Sequence, residues 1–146
     1  MSHPTGTTLL ELLLTLCLLG LLTGLVGPAV GRGLDRFAVR AARDELTAAV
    51  SRTRSAAVSL GGAVLIVDPQ HASFWIRSAA GDTVLRPVNL TARHGVDVEV
   101  AAAAGPVELA YDGLGIGRIS NHTIRLVRGR AVAGVTISAY GRARAW

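Results

Sequence analysis

One unbroken apolar run and two hydrophobic periods divide this 146-residue chain. Residues 12–31 read LLLTLCLLGLLTGLVGPAVG, twenty positions without a charge. As a helix that length rises about 30 Å, the thickness of a bilayer core. Beyond Gly33, the apolar residues Leu34, Phe37, Ala38, Ala41, Leu46, Ala49, Val50, Ala57 and Leu60 recur at three- and four-residue steps, with Arg40, Arg43, Asp44, Arg52 and Arg54 largely between them. This is the pattern of an amphipathic helix, continuing the apolar run and stopping at Gly61-Gly62. After that glycine pair the pattern changes to short β-prone runs at 63–67, 73–77, 83–88, 96–100, 107–111, 123–127 and 132–139. Turn residues separate them, among them Asp68-Pro69, Ala80-Gly81-Asp82, Gly105-Pro106 and Arg128-Gly129. The expected fold is α+β, a long N-terminal helix whose second half packs on an antiparallel β-sheet.

Glycines 20, 24 and 27 and Pro28 interrupt the apolar run. Pro28 removes a helical hydrogen bond and clashes with the preceding turn, so a kink or melted turn is expected there. The small residues suit a packing face for neighbouring helices equally well. Cys17 is the single cysteine and lies within the run, which rules out an intrachain disulfide.

Charge refines this picture. All 15 basic residues are Arg, set against 10 acids. Residues 113–146 contain Arg118, Arg125, Arg128, Arg130, Arg142 and Arg144 and no acid, whereas residues 1–112 are almost balanced. So uneven a distribution fits an anionic partner, nucleic acid or lipid headgroups, and fits equally a solvated face. Side-chain chemistry for catalysis is missing from the local motifs. The histidines at 3, 71, 94 and 122 have no paired spacing, there is no P-loop or Gly-x-Ser-x-Gly elbow, and Gly113-x-Gly115-x-Gly117 reads as a turn. No catalytic residue, metal or cofactor is expected. The Asn89-Leu90-Thr91 and Asn121-His122-Thr123 sequons mean little if the cell is bacterial.

The apolar run has three readings. A secretory signal peptide would use Ala29-Val30-Gly31 for cleavage, but the leader has no Lys or Arg, the apolar region exceeds the usual 7–15 residues, and Glu11 stands at its start. A generic single-span anchor leaves that Glu without a purpose. A carboxylate at the edge of hydrocarbon costs on the order of 2.5–3.5 kcal/mol and is ordinarily kept for a function, although it can also snorkel to the interface. The third reading comes from Gly6-Thr7-Thr8-Leu9-Leu10-Glu11-Leu12-Leu13, which resembles the type IV prepilin signature. Thr7 stands where that family more often has Phe, and the leader lacks the usual basic residue. The resemblance implies a leader of residues 1–6, cleavage between Gly6 and Thr7 by a prepilin peptidase, N-methylation of Thr7, and a filament-assembly role for Glu11 toward the amine of a neighbouring subunit.

The C-terminal third extends the likeness. Tyr111-Asp112-Gly113-Leu114-Gly115, followed by a hairpin and a last strand ending in Gly141-Arg142-Ala143-Arg144, is similar to the GspH/FimT family of minor pilins and pseudopilins. The family implies a type IV pilin-like fold with segments 1–6 (leader), 7–31 (transmembrane and assembly helix), 32–61 (amphipathic helix) and 62–146 (β-rich domain). It also implies a non-enzymatic subunit of a type II secretion pseudopilus or type IV pilus. Such a subunit is single-pass in the bacterial inner membrane, with its domain outside the cytoplasm, and its partners are the peptidase, other pilin or pseudopilin subunits and the membrane. Some FimT-like subunits resemble the chain further in using a C-terminal Gly-Arg-x-Arg to bind DNA during transformation. Alternating Arg142 and Arg144 on an extended strand would present guanidinium groups on one face for phosphate oxygens, with Arg118, Arg125, Arg128 and Arg130 widening the footprint.

Overall fold

In the computed structural model, residues 8–146 are described except 102, 104, 119 and 120, with the side chains of 24–29 also left aside. The expected cleavage and methylation positions, Gly6 and Thr7, therefore lie outside the described residues. The chain divides into two compact units, residues 1–34 and Asp35–Trp146. Helix α1 is Leu9–Leu60. Thr8 precedes it, and the Thr8 hydroxyl accepts the Glu11 backbone N–H at 3.3 Å, one half of a Thr-x-x-Glu capping box.

Within the second unit, α1 buries Ala38, Val39, Ala42, Leu46, Ala49, Val50, Thr53 and Ala57. These positions advance by one turn at a time on one face. The one buried polar member, Thr53, donates to the Ala49 carbonyl at 2.8 Å, so its hydroxyl is satisfied inside the helix. The expected stripe was partly misphased. Phe37 is 74% exposed, and Leu34 and Leu60 are also exposed. Phe37 lies two residues, about 200° of helical turn, from Val39 and so falls off the packed face. Gly61, in the left-handed region at φ 78°, ends the helix where the glycine pair was expected to stop it.

Among the described residues the strands form two four-stranded antiparallel sheets where one sheet was expected. Strands β1 (Gly62–Asp68), β2 (Ser73–Ser78), β3 (Thr83–Asn89) and β5 (Val107–Asp112) make the first, in the order β3-β2-β1-β5. Strands β4 (Asp97–Val100), β6 (His122–Arg128), β7 (Ala131–Ile137) and β8 (Ala143–Ala145) make the second, in the order β4-β6-β7-β8. Central β1 is buried almost throughout, whereas β3, an edge strand carrying Pro87, is largely exposed. Between β3 and β4 the chain makes the short helix α2 (Leu90–His94). The Asn89 side chain accepts the Ala92 N–H at 2.7 Å, and Gly95 closes the helix at φ 65°. The asparagine of that sequon is thus an N-cap.

Phe74, Leu65, Ile76 and Leu109 from the first sheet and Ile124, Leu126, Val135 and Ile137 from the second share one core with the α1 face. Charged contacts rim it. Glu45 of α1 meets His94 at 2.8 Å and also pairs with Arg93. Asp35 accepts Nε of Arg128 at 3.0 Å.

Candidate functional site

The Tyr-Gly motif and the Gly-Arg tail, about thirty residues apart in sequence, meet in space. Tyr111 on β5 donates its hydroxyl to the Gly141 carbonyl at 3.2 Å, and Gly117 N–H donates to the Tyr140 carbonyl at 3.1 Å. Gly141 has φ 77°, and a Cβ there would come within 2.3 Å of the Tyr111 ring. A Cβ on Gly117 would sit 2.6 Å from the Gly141 nitrogen. Glycine is needed at both positions because ring and backbone occupy the space a side chain would take. Burial pushes the Tyr111 phenol above its ordinary pKa, with Arg54 opposing the shift.

The turn after Tyr111 is built on Asp112. Its Oδ1 accepts the Leu114 and Ile116 N–H groups, each at 3.0 Å, and Arg118 lies 3.5 Å from its other oxygen. The Ile116 hydrogen bond, then those of Leu114 and Arg118, hold the carboxyl below its usual range against an opposing effect of burial. This turn seats Gly115 (φ 72°) on α1. A Cβ there would lie 3.2 Å from Val58 Cγ2, and Nε of Arg54 donates to the Gly115 carbonyl at 3.1 Å. The spacing Tyr111 to Gly115 thus joins the end of the helix to the C-terminal tail.

The six C-terminal Arg residues do not share one face. On β6, Ile124 and Leu126 point into the core, and Arg128 has their parity; it bonds Asp35 and the His94 carbonyl. Arg128 therefore clamps the helix side of the second sheet. Arg125 has the opposite parity and faces outward, 3.7 Å from Glu99 on β4. Arg144 stands opposite Thr136 of β7 and faces outward as well, and Arg142 precedes it beside Ser138. Both are exposed, with no ion pair among the described residues. Arg118 is tied to the Asp112 turn and Arg130 lies in the two-residue turn between β6 and β7. Sequence reasoning missed Trp146, which lies on the same outward surface as Arg144.

Every described side chain of residues 8–23 is exposed, including Glu11 and Leu9, Leu10, Leu13, Leu16 and Leu21. Among the described residues no helix is long and apolar enough to cross a membrane; the uncharged run at 12–31 includes positions 24–29, whose side chains are outside that description. Among the described residues there is also no group of three or more potential metal ligands.

A long N-terminal helix whose second half packs on antiparallel sheet defines a type IV pilin fold, and this chain has it. Two crystal structures of the type IV minor pilin FimU of Pseudomonas aeruginosa are similar. One matches with a TM-score of 0.57 and 20% identity over 74% of this chain and 87% of that one. The other has a TM-score of 0.55 and 21% identity over 73% of this chain and 91% of that one. No protein-family model matches the chain, and no curated protein sequence matches it.

Proposed function

We propose that the chain is a minor pilin or pseudopilin of the GspH/FimT kind, a structural subunit of a type IV pilus or type II secretion pseudopilus with no reaction of its own. The observation that carries this reading is the pairing of a pilin fold with an apolar leading helix whose described side chains are all exposed. Leucines exposed around a whole helix need partners outside the chain, first lipid and then the helices of neighbouring subunits. In this reading the prepilin peptidase cuts between Gly6 and Thr7, Thr7 is N-methylated, and the subunit waits in the inner membrane with its domain outside the cytoplasm. Glu11, fixed in the first turn by the Thr8 cap, offers its carboxylate to the amine of an adjoining subunit. Co-expression of the full chain with a prepilin peptidase, read by intact mass, should show loss of residues 1–6 and one added methyl group. An unprocessed chain in the presence of an active peptidase overturns the proposal.

DNA binding for transformation is the second reading, favoured by the outward Arg142 and Arg144, without an ion pair among the described residues, in an acid-free C-terminal stretch. The full chain in nonionic detergent should bind an oligonucleotide with an affinity that falls linearly against log salt. Arg142→Ala/Arg144→Ala should reduce that slope while the fold is kept. Salt-insensitive binding, or none at low salt, leaves the structural role alone.

A further inference from the structure

A groove of about 370 Å³ runs beside the second half of α1 and the start of β7, lined by Arg36, Arg40, Arg43, Arg130 and Trp146. Arg36 and Arg40 are four residues apart, on one helix face and about 6 Å apart along the axis. Arg43 is compensated by Asp44 at 2.8 Å, but Arg36, Arg40 and Arg130 have no ion pair among the described residues. Three guanidinium groups without counter-charge around one concavity repel one another and favour a bound anion.

Trp146 gives the groove a second chemistry. Its backbone N–H and carbonyl both bond Gly134 at 3.0 Å, and its indole Nε1 donates to Thr136 Oγ1 at 3.2 Å. The ring rests on Gly134, where a Cβ would come within 2.4 Å of Cζ2. A glycine inside a strand of Ala and Val is costly unless something must approach closely, and here the indole does. The result is an aromatic ring fixed at three polar atoms yet 50% exposed. An indole serving only the core would be covered.

We infer that this groove binds single-stranded nucleic acid, with Arg36, Arg40 and Arg130 on phosphates and the open face of Trp146 as a platform for a base. The inference rests on the DNA-binding reading above and assigns it a site that the C-terminal Arg pair alone does not define. Cationic groove and exposed aromatic face together are the requirement for single strands, whose bases are free to stack, whereas a duplex hides them. A lipid headgroup fits less well. The polar edge of the indole is already given to Thr136, and the exposed apolar side chain beside it in the groove is the small Val132, set among Arg130, Arg36 and Arg40, too little surface for insertion between acyl chains. From the groove the strand would pass over Trp146 toward Arg144.

The test uses the full chain in nonionic detergent, with fluorescent dT20, a twenty-unit abasic strand of equal charge, and a duplex of the same length. Wild type should bind dT20 about tenfold more tightly than the abasic strand and more tightly than the duplex. Trp146→Ala should lose that advantage on dT20 and leave the abasic strand unchanged, while Trp146→Phe, which keeps a ring, should stay within about threefold of wild type. Arg36→Gln/Arg40→Gln, at exposed helix positions, should weaken both strands and lower the salt slope by about 1.4. Equal binding of dT20 and abasic strand by wild type overturns the inference. So does displacement of dT20 by phosphatidylglycerol mixed into the micelles at equal anionic charge, which points to a headgroup site. If Arg142→Ala/Arg144→Ala abolishes binding while the Trp146 and Arg36/Arg40 variants do not, DNA binding stands and this groove falls. If no strand binds wild type at all, the DNA-binding reading itself falls.

Discussion

The two halves of α1 obey the same helical geometry and meet opposite fates. Residues 8–23 present leucine on every side, and all their described side chains are exposed. From Ala38 to Ala57 the buried positions are mostly Ala and Val, with Leu46 the one long aliphatic side chain. Small residues let the helix axis come close to both sheets, so the core is completed by the strands' larger Phe, Ile, Leu and Val side chains. Large residues all around the first half leave no polar face for water and none for a private core. Side-chain size and arc therefore separate a helix that finishes a domain from one that requires partners outside the chain.

The sharpest way to break this comparison is to truncate one leucine in each half. Leu46→Ala, at 0% exposure, should cost about 2–5 kcal/mol in chemical unfolding of the domain. Leu18→Ala, exposed in the first half, should change that transition by less than about 0.5 kcal/mol. Equal effects would mean that the first half contributes to the same core. The next contrast lies where the second half ends. Gly115→Ala forces a side chain into the left-handed region and toward Val58, and should cost about 1–2 kcal/mol in the same assay. At the opposite end of α1, Thr8→Ala removes the hydroxyl that caps Glu11 N–H and should destabilise the first turn by about 1 kcal/mol. Hydrogen exchange should show faster amide exchange near residues 9–12 with the domain amides unchanged. Faster exchange throughout the domain would contradict the separation.

Much of this organisation is legible in local sequence. The cores of β1 to β7, seven of the eight strands among the described residues, the stop at Gly61 and the amphipathic character of residues 34–60 follow from period and turn chemistry. The phase of the stripe does not, because Phe37 and Val39 are both apolar and only the packed sheets choose between them. The division into two sheets was equally hidden. β5 returns to pair with β1 from Val67↔Val107 to Gly62↔Asp112, far apart in sequence, and hydrophobic alternation encodes burial without encoding neighbours. α2 carried a visible signal, Asn89 before and Gly95 after, but five residues are too few for a period. In the site, Tyr111 and Gly115 were legible as a spacing, whereas the Tyr111 to Gly141 contact was not. The six Arg looked alike in sequence, and strand parity divides them: Arg128 turns inward to Asp35, 93 residues away, while Arg125 and Arg144 turn outward.

The smallest expected effect tests how the partnered half of α1 is held at its end. Asp112 accepts the Ile116 and Leu114 N–H groups and faces Arg118, and these interactions depress its folded pKa below the ordinary 3.8. A carboxylate depressed on folding stabilises the folded turn fully above its unfolded pKa, and that contribution is lost as pH falls through the folded value. The window thus begins near 3.8 and extends below it. Acidification through that window should loosen the turn carrying Gly115, seen as faster exchange or shifted resonances at Leu114 and Ile116. Asp68, depressed chiefly by its hydrogen bond to His71, titrates in the same acid range, so global unfolding does not isolate the turn. Asp112→Asn supplies the control, because it keeps an acceptor oxygen but no longer titrates. If Leu114 and Ile116 respond to acid equally in wild type and Asp112→Asn, the carboxylate is not what seats Gly115 on the helix.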